Sequence, residues 1–198
     1  MTRPAPQDNR TPRQKQFIEV AARLFAERGY HAVGINEISA ELGLSGPAIY
    51  RHYRSKEALL VAVLDDVISA HLEEVRDIVS AHPDPAAALQ AIVADHCRFV
   101  LDQTEFIVTW RTEFRSLPEA DRRRLRYLQR LYIDEWVRTV GKLRPNLHDD
   151  AVRAMCHAAI GLIQSPSEFH SQVSQTVLEE LITTMAVSAL IGRQAVNR

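Results

Sequence analysis

Apolar residues recur every three or four positions along most of the chain, and this period predicts amphipathic α-helices. No stretch alternates strictly between apolar and polar residues, as a half-buried strand would, so the sequence predicts an all-α fold. The long helices are predicted from Pro12 to Arg28, Ser55 to Val79, about Ala86 to Val100, about Phe106 to Leu117, Pro118 to Leu143, about Leu147 to Gln164 and about Gln172 to Gly192.

Residues 33–60, VGINEISAELGLSGPAIYRHYRSKEALL, predict two short helices joined by a tight turn. Ile35 and Ile38 share one face of the first short helix, and Gly43 suits a left-handed turn after it. Ser45 is a suitable N-cap for the second helix, and Pro47 fits in its first turn. This arrangement is a helix-turn-helix.

The second short helix has little apolar surface of its own. Ile49 and Tyr53, four residues apart, are expected to face inward. The remaining residues then face outward, and small residues at the helix N-terminus let backbone N–H groups approach a phosphate or a base edge. These outward residues are Gly46, Ala48, Tyr50, Arg51 and His52.

The run LFAERGYHAVGINEISAELGLSGPAIYRHYRSKEALL resembles the N-terminal DNA-binding domain of the TetR family of bacterial one-component transcriptional regulators. The resemblance covers about the first third of the chain, from Phe17 to Leu64. It joins several separate features, namely Leu24-Phe25, Glu27-Arg28-Gly29, Ile38, Gly43, Tyr50-x-His52-Tyr53 and Ser55-Lys56-Glu57 with Leu59. Two departures are Val33-Gly34, where most relatives carry a hydroxyl residue that caps the helix, and Tyr53, where most carry Phe.

The resemblance implies which residues meet double-stranded DNA. The residues expected to contact bases or the groove floor are Asn36, Ser45, Gly46, Pro47 and Ala48. Those expected to contact phosphates are Tyr50, His52 and Lys56, and Arg51 is suited to either role. An alternative for His52 is a helix-end histidine bonded to the backbone. The resemblance also implies a homodimer formed through the last two helices and a palindromic operator, with repression as the family's common mode; these helices carry small residues that permit close packing.

The expected domains are a disordered basic arm over 1–11, the DNA-binding domain over 12–55, and a ligand-binding and dimerisation domain over 56–198. Residues 1–60 carry a net charge of +3 and the remainder −4, which is typical of a DNA reader whose second domain has another task. Arg3, Arg10, Arg13 and Lys15 are candidates to follow the DNA backbone, and the alternative is a solvated tail.

Aromatic and polar residues concentrate in the second domain, which suggests a mostly apolar pocket for a small-molecule inducer. The candidate lining residues are Phe99, Gln103, Phe106, Trp110, Arg111, Phe114, Tyr127, Leu131 and Phe169. The alternative is that these aromatic residues are ordinary core. Arg111 is suited to a carboxylate or phosphate, so a fatty acyl or acyl-CoA inducer is one hypothesis.

A helical enzyme and a protein-interaction module without operator binding are the competing classes. His96-Cys97 and Cys156-His157 do not favour catalysis, because adjacent helical residues point about 100° apart. We therefore expect no catalytic residues, metal or cofactor, with Cys97 and Cys156 as reduced core thiols. No apolar run reaches the ~18 residues of a membrane span, so the sequence predicts a soluble, cytoplasmic protein.

Overall fold

The computed structural model describes residues 10–169 and 171–192, and within these ranges it contains α-helices, two 3-10 helices and no strand. The all-α prediction is confirmed. The α-helices are α1 (Pro12–Arg28), α2 (Ile35–Glu41), α3 (Lys56–Ala81), α4 (Pro85–Asp102), α5 (Thr104–Glu113), α6 (Glu119–Leu143), α7 (Asp149–Gln164) and α8 (Gln175–Ile191). The 3-10 helices are Gly46–Arg51 and Ser165–Glu168.

The chain divides into two compact units, of which the first ends at Asp66 and the second begins at Val67. The predicted boundary after residue 55 therefore falls inside the first unit. Leu59, Leu60 and Leu64 of α3 are fully buried, so this stretch belongs to the core of the first unit. Most of the predicted basic arm, residues 1–9, lies outside the described ranges.

Helix α1 begins and ends where its sequence indicates. The Thr11 hydroxyl accepts the Gln14 N–H at 3.2 Å, and the Gln14 side chain accepts the Thr11 N–H at 2.9 Å, which makes a reciprocal cap. Gly29 ends the helix with φ of 78°, a value that favours glycine. Arg10, assigned to the arm, pairs instead with Asp65 at 2.8 Å and with Asp66.

Helix α2 lacks a hydroxyl cap, as expected from Gly34. Glu37 supplies the other half of a capping arrangement, because its Oε2 accepts the Gly34 N–H at 3.0 Å. Arg28 binds the second oxygen of Glu37 at 2.5 Å. This backbone hydrogen bond, together with Arg28, lowers the pKa of Glu37 from its ordinary value.

The second short helix differs from the prediction, because it is a 3-10 helix and the Ser45 side chain does not cap it within the described part of the chain. Six residues that start with Gly46-Pro47 close i→i+3 hydrogen bonds, with the Ala48 N–H donating to the Ser45 carbonyl at 2.9 Å. Ile49 nevertheless points inward and is fully buried, as predicted.

Tyr53 fixes the end of this segment to α1. Its ring lies edge-on to Phe17 with centroids 6.4 Å apart, and its hydroxyl donates to the Gln14 carbonyl at 3.2 Å. The Tyr53 hydroxyl, which the usual Phe lacks, therefore has a hydrogen-bond partner.

The second unit packs α4 against α6, α7 and α8, and α7 against both α6 and α8. Its centre contains large, fully buried side chains such as Trp136, Leu89 and Ile92. Asp84 caps α4 by accepting the Ala87 N–H at 3.0 Å, and Arg144 donates to the Leu190 carbonyl at 3.0 Å near the end of α8. Every helix in the described ranges is too short or too polar to cross a bilayer.

Replacing Tyr53 by phenylalanine removes one partly buried hydrogen bond and keeps the ring. We expect the free energy of unfolding of the first unit to fall by about 0.5–1.5 kcal/mol. Urea denaturation followed by circular dichroism measures this change. Tyr50→Phe is the matched control, because the exposed Tyr50 in the same unit loses only a solvated hydroxyl. Equal effects of the two substitutions would contradict a stabilising role of the Tyr53 hydroxyl.

Candidate nucleic-acid interface and ligand cavity

A left-handed turn brings the 3-10 helix against α2. Gly43 has φ of 66°, and the Leu44 N–H donates to the Ser39 carbonyl at 2.9 Å. The buried Ser39 hydroxyl then donates to the Gly46 carbonyl at 3.4 Å, a long contact that joins the two helices directly. The turn and this contact hold the start of the 3-10 helix beside α2.

Gly46 allows the closest approach in this pair of helices. A Cβ atom placed on Gly46 would lie 1.9 Å from Oδ1 of Asn36. The Asn36 amide therefore lies close to the backbone at the N-terminus of the 3-10 helix, and a side chain at position 46 would require Asn36 to move. Two residues predicted to meet bases, from different helices, are thus adjacent.

All nine residues predicted to meet DNA lie on α2, on or beside the 3-10 helix, or at the start of α3, and none is buried. Asn36, Ser45, Pro47, Tyr50 and Arg51 are exposed, and Gly46, Ala48, His52 and Lys56 are half-buried.

Two of the half-buried residues are positioned by aromatic rings. The His52 ring lies 5.5 Å from the ring of Phe17, and the Lys56 ammonium lies 4.3 Å from the centroid of Tyr30. These contacts hold an imidazole and a cation at positions that follow Tyr50 and Arg51 in the chain.

The second unit contains a largely apolar cavity of about 80 Å³. Phe99, Phe106 and Trp110 were predicted to line a pocket, and all three lie in its wall. The other lining residues are Val67, Ile68, His71, His96, Ile107, Gln129, Tyr132, Ile133, Ile160 and Gln164.

The other six predicted ligand residues lie away from the cavity wall. Arg111 is exposed and pairs with Glu168 at 2.5 Å, while Tyr127 and Phe169 are also exposed. Phe114 packs on Trp110 with ring centroids 4.6 Å apart and is not among the residues that line the cavity. Gln103 lies in the break between α4 and α5, and Leu131 is half-buried on α6.

A histidine–tyrosine pair that the sequence reading missed lies in the cavity wall. The Tyr132 hydroxyl is 3.1 Å from Nδ1 of His96, and both rings are buried. Burial lowers the pKa of His96 to about 3 and raises the pKa of Tyr132, so both side chains are neutral at pH 7. Nε2 of His96 is buried and has no hydrogen-bond partner among the described residues.

The signal for this pair was a polar residue among the apolar positions of a helix. His96 lies between Val93 and Val100, which share the buried face of α4. The sequence reading considered His96 only beside Cys97, as a candidate for catalysis. Cys97 and Cys156 are both buried, and burial raises the pKa of each thiol, that of Cys156 to about 11.

The last two helices expose apolar and small residues side by side. On α8, Val177, Leu181 and Met185 are spaced four apart, and 43%, 51% and 54% of their surfaces are exposed. Helix α7 packs against α8 and exposes Ala154, Ala158 and Gly161 on one face.

Comparison with known proteins assigns the first unit. Residues 17–63 match the model of bacterial regulatory proteins, tetR family. The transcriptional activator FasR of Mycolicibacterium smegmatis is 35% identical over 95 residues, which are 46% of this chain and 43% of FasR. The repressor KstR2 of Rhodococcus jostii is 26% identical over 156 residues, 78% of this chain and 76% of KstR2. The chain thus spans less than half the length of FasR.

Two solved structures share the fold. A TetR/AcrR-family regulator from Thermobifida fusca has a TM-score of 0.72 at 24% identity, with 95% of this chain and all of that chain covered. AibR, solved in complex with isovaleryl coenzyme A and operator DNA, has a TM-score of 0.71 at 21% identity, with 90% and 98% covered. All four similar proteins are named as regulators or, for AibR, solved on operator DNA, and none is named as an enzyme. Residues 17–63, which include the helix-turn-helix, therefore match the domain of the tetR family of bacterial regulatory proteins.

Proposed function

We propose that the chain is a homodimeric transcriptional repressor that binds a palindromic operator and is released by a small apolar or amphipathic ligand. The observation that carries the proposal is the exposed surface of Asn36 on α2 and of Tyr50 and Arg51 on the adjacent 3-10 helix. Such a surface fits the major groove, where arginine and asparagine hydrogen-bond base edges. Selection from random duplexes tests it, with an enriched palindrome as the expected product.

The adjacency of Asn36 and Gly46 supports a reading role for the start of the 3-10 helix. The Asn36 amide carries both donors and an acceptor, and it lies beside the backbone of Gly46, so one base edge or phosphate can meet both residues. Tyr50, His52 and Lys56 are then suited to phosphates on either side. His52 also fits its structural alternative, because its ring packs on Phe17.

The exposed faces of α7 and α8 support dimerisation. Four-residue spacing makes Val177, Leu181 and Met185 one apolar stripe, which is costly to leave in water. A Cβ atom placed on Gly161 would meet nothing within 4 Å, so the small residues of α7 leave space for an approaching helix. A second copy that supplies the same faces would bury both, and a two-fold dimer would place two reading helices in successive major grooves.

The cavity indicates the kind of ligand that releases DNA. When the protonated Tyr132 hydroxyl donates to Nδ1 of His96, the neutral imidazole carries its hydrogen on Nε2. A buried N–H without a partner costs about 1–3 kcal/mol, and an acceptor oxygen on the ligand would recover this energy. We therefore propose an apolar ligand with a carbonyl or similar acceptor, such as a short acyl thioester.

Size favours a short acyl group in the conformation described. The cavity of about 80 Å³ is below the roughly 300–1,000 Å³ of clefts that enclose drug-sized ligands, so a long acyl chain requires the helices to move apart. Arg111, the predicted anchor for a phosphate or carboxylate, is already paired with Glu168 and lies away from the cavity wall. The acyl part and the cavity, rather than Arg111, then determine ligand specificity.

Removing the charge of Lys56 should weaken binding to all duplexes alike. For Lys56→Ala we expect the slope of log affinity against log salt to flatten by about one unit for each subunit bound, because one phosphate contact is lost. Filter binding to random duplex DNA at several salt concentrations measures the slope. Lys142→Ala, which removes an exposed charge from the second unit, is expected to leave it unchanged. A parent protein that binds no duplex at any salt concentration would refute the proposed function.

Placing a carboxylate in the α8 stripe should separate the dimer. For Leu181→Glu we expect the dimer dissociation constant to rise by at least about a hundredfold, because burying an unpaired charge costs several kcal/mol. Analytical ultracentrifugation measures the constant. Tyr127→Glu places the same charge on an exposed aromatic residue of α6 and should leave the dimer intact. A Leu181→Glu protein that remains dimeric would exclude this stripe as the interface.

Removing the imidazole from the cavity wall should weaken binding of the ligand. For His96→Leu we expect acyl-CoA thioesters, from isovaleryl to stearoyl, to bind roughly 2- to 12-fold more weakly, since one hydrogen bond is worth about 0.5–1.5 kcal/mol. Release of a fluorescent operator duplex measures the effect. Arg111→Ala is the control and should leave the response unchanged. Loss of the response in Arg111→Ala alone would place the ligand at the α5 surface instead, and a parent protein released by no thioester would exclude this ligand class.

A further inference from the structure

Three side chains with metal-binding chemistry lie together in the second unit, on α3 and α4. His71, Glu74 and Asp95 each contribute one potential ligand atom, and these atoms all lie within 4.8 Å of one another. His71 and Glu74 are three residues apart, so they share one face of α3. Asp95 comes from the neighbouring helix, and the cluster therefore bridges two elements that are distant in sequence.

Two members of this cluster lack the partners that buried polar atoms require. Nδ1 of His71 and Oδ2 of Asp95 are buried without a hydrogen-bond partner among the described residues, and Asp95 can hydrogen-bond Glu74 only when one of the two carboxyl groups is protonated. Leaving such an atom without a partner is unfavourable, because it has lost its hydrogen bonds to water. A single group that satisfied both atoms would remove both costs.

The charges at the cluster favour a cation. Glu74 and Asp95 place two carboxylates within 4.8 Å of each other, and Arg98 is a nearby cation. Arg98 also faces Glu179, with Nε 3.9 Å from Oε1, so it does not neutralise Asp95 alone. Two carboxylates this close are stable only with a shared proton or a cation between them.

We propose that His71, Glu74 and Asp95 form a binding site for one divalent first-row transition-metal ion, and that Zn²⁺ fits it best. An imidazole with two carboxylates is a mixed nitrogen–oxygen ligand set, which suits such ions better than Mg²⁺ or Ca²⁺. Bond lengths of about 2.0–2.2 Å place two ligand atoms roughly 3–4 Å apart, so the cluster has to contract slightly. Glu74 is exposed and can make this movement.

The position of the site connects the ion to the cavity. His71 also lines the cavity wall, and three protein ligands leave coordination positions open to water or to an oxygen of a bound ligand. The ion would also tie α3 to α4 in the second unit. Metal binding of this kind goes beyond the proposed function and does not depend on whether the chain binds an operator.

Isothermal titration calorimetry with Zn²⁺ alone tests the proposal. The untagged full-length chain is first freed of metals with a chelator. We expect one Zn²⁺ per chain. Asp95→Asn and Glu74→Gln should each weaken binding by at least about tenfold, the loss that even an outer-shell partner typically causes. Mg²⁺ should bind at least about tenfold more weakly than Zn²⁺ in the parent chain, because it prefers oxygen ligands. The visible absorption bands of bound Co²⁺ report coordination independently.

A surface histidine provides the matched control. His148 lies with Nδ1 3.6 Å from Asp150, and both side chains are exposed, so this pair is the competing adventitious site. His148→Gln should leave Zn²⁺ affinity unchanged. In the metal-free protein, Asp95→Asn should raise the Tm, since it removes the repulsion from Glu74, and Zn²⁺ should no longer raise the Tm of this variant.

Several outcomes would overturn the site. Zn²⁺ binding that survives both Asp95→Asn and Glu74→Gln would place the ion elsewhere, and loss in His148→Gln would assign it to the surface pair. A parent chain that binds no Zn²⁺ would leave a proton shared between Glu74 and Asp95 as the explanation of the cluster.

Discussion

Burial of Ile49 and Tyr53 is the constraint on which the exposed surface of the first unit depends. A helix of six residues is too short to be stable by itself, so it persists only because tertiary contacts fix it. Ile49 is fully buried, and Tyr53 adds a ring contact with Phe17 and a hydrogen bond to the Gln14 carbonyl. Because these two side chains hold the segment at one side, Tyr50 and Arg51 between them face solvent.

The core of the second unit contains polar side chains at positions where apolar side chains are usual. His96 and Tyr132 satisfy each other on one side only, while His71 and Asp95 each keep a buried atom without a partner. These groups lie on α3, α4 and α6, around the cavity and beside the carboxylates of Glu74 and Asp95.

A buried polar group without a hydrogen-bond partner in a native core needs an explanation, and a bound ligand or ion is one. Helix α3 is continuous from Lys56 to Ala81, so a ligand or ion bound at His71 contacts the helix that begins in the first unit. Such binding affects DNA only if it favours one conformation of the chain.

The sequence determined more about the first unit than about the second. Pro12 and Gly29 mark the ends of α1 because their backbone preferences are local, and the inward residues Ile49 and Tyr53 follow from spacing. Spacing alone does not separate a 3-10 helix from an α-helix over six residues. The composition of the cavity wall could not be predicted, because it depends on which helices pack together, and His96 and Tyr132 are 36 residues apart in sequence. The exposure of Tyr127 and Phe169 likewise depends on neighbours that helical periodicity does not identify. The residue type of Arg111 suits a ligand phosphate or carboxylate, but its guanidinium already forms an ion pair with Glu168.

Helix α8 is apolar on two opposite faces, which is why we propose a partner for it. Ile182, Ala186 and Leu190 are buried within the chain, against the packing that α4 and α7 provide. Val177, Leu181 and Met185 lie on the other side and remain exposed. A second apolar stripe that remains exposed is costly to leave in water, so the neighbours within the chain do not bury all the apolar surface of α8. Helix α7, which packs against α8, also exposes small residues, and a second copy of the chain offers faces of matching chemistry.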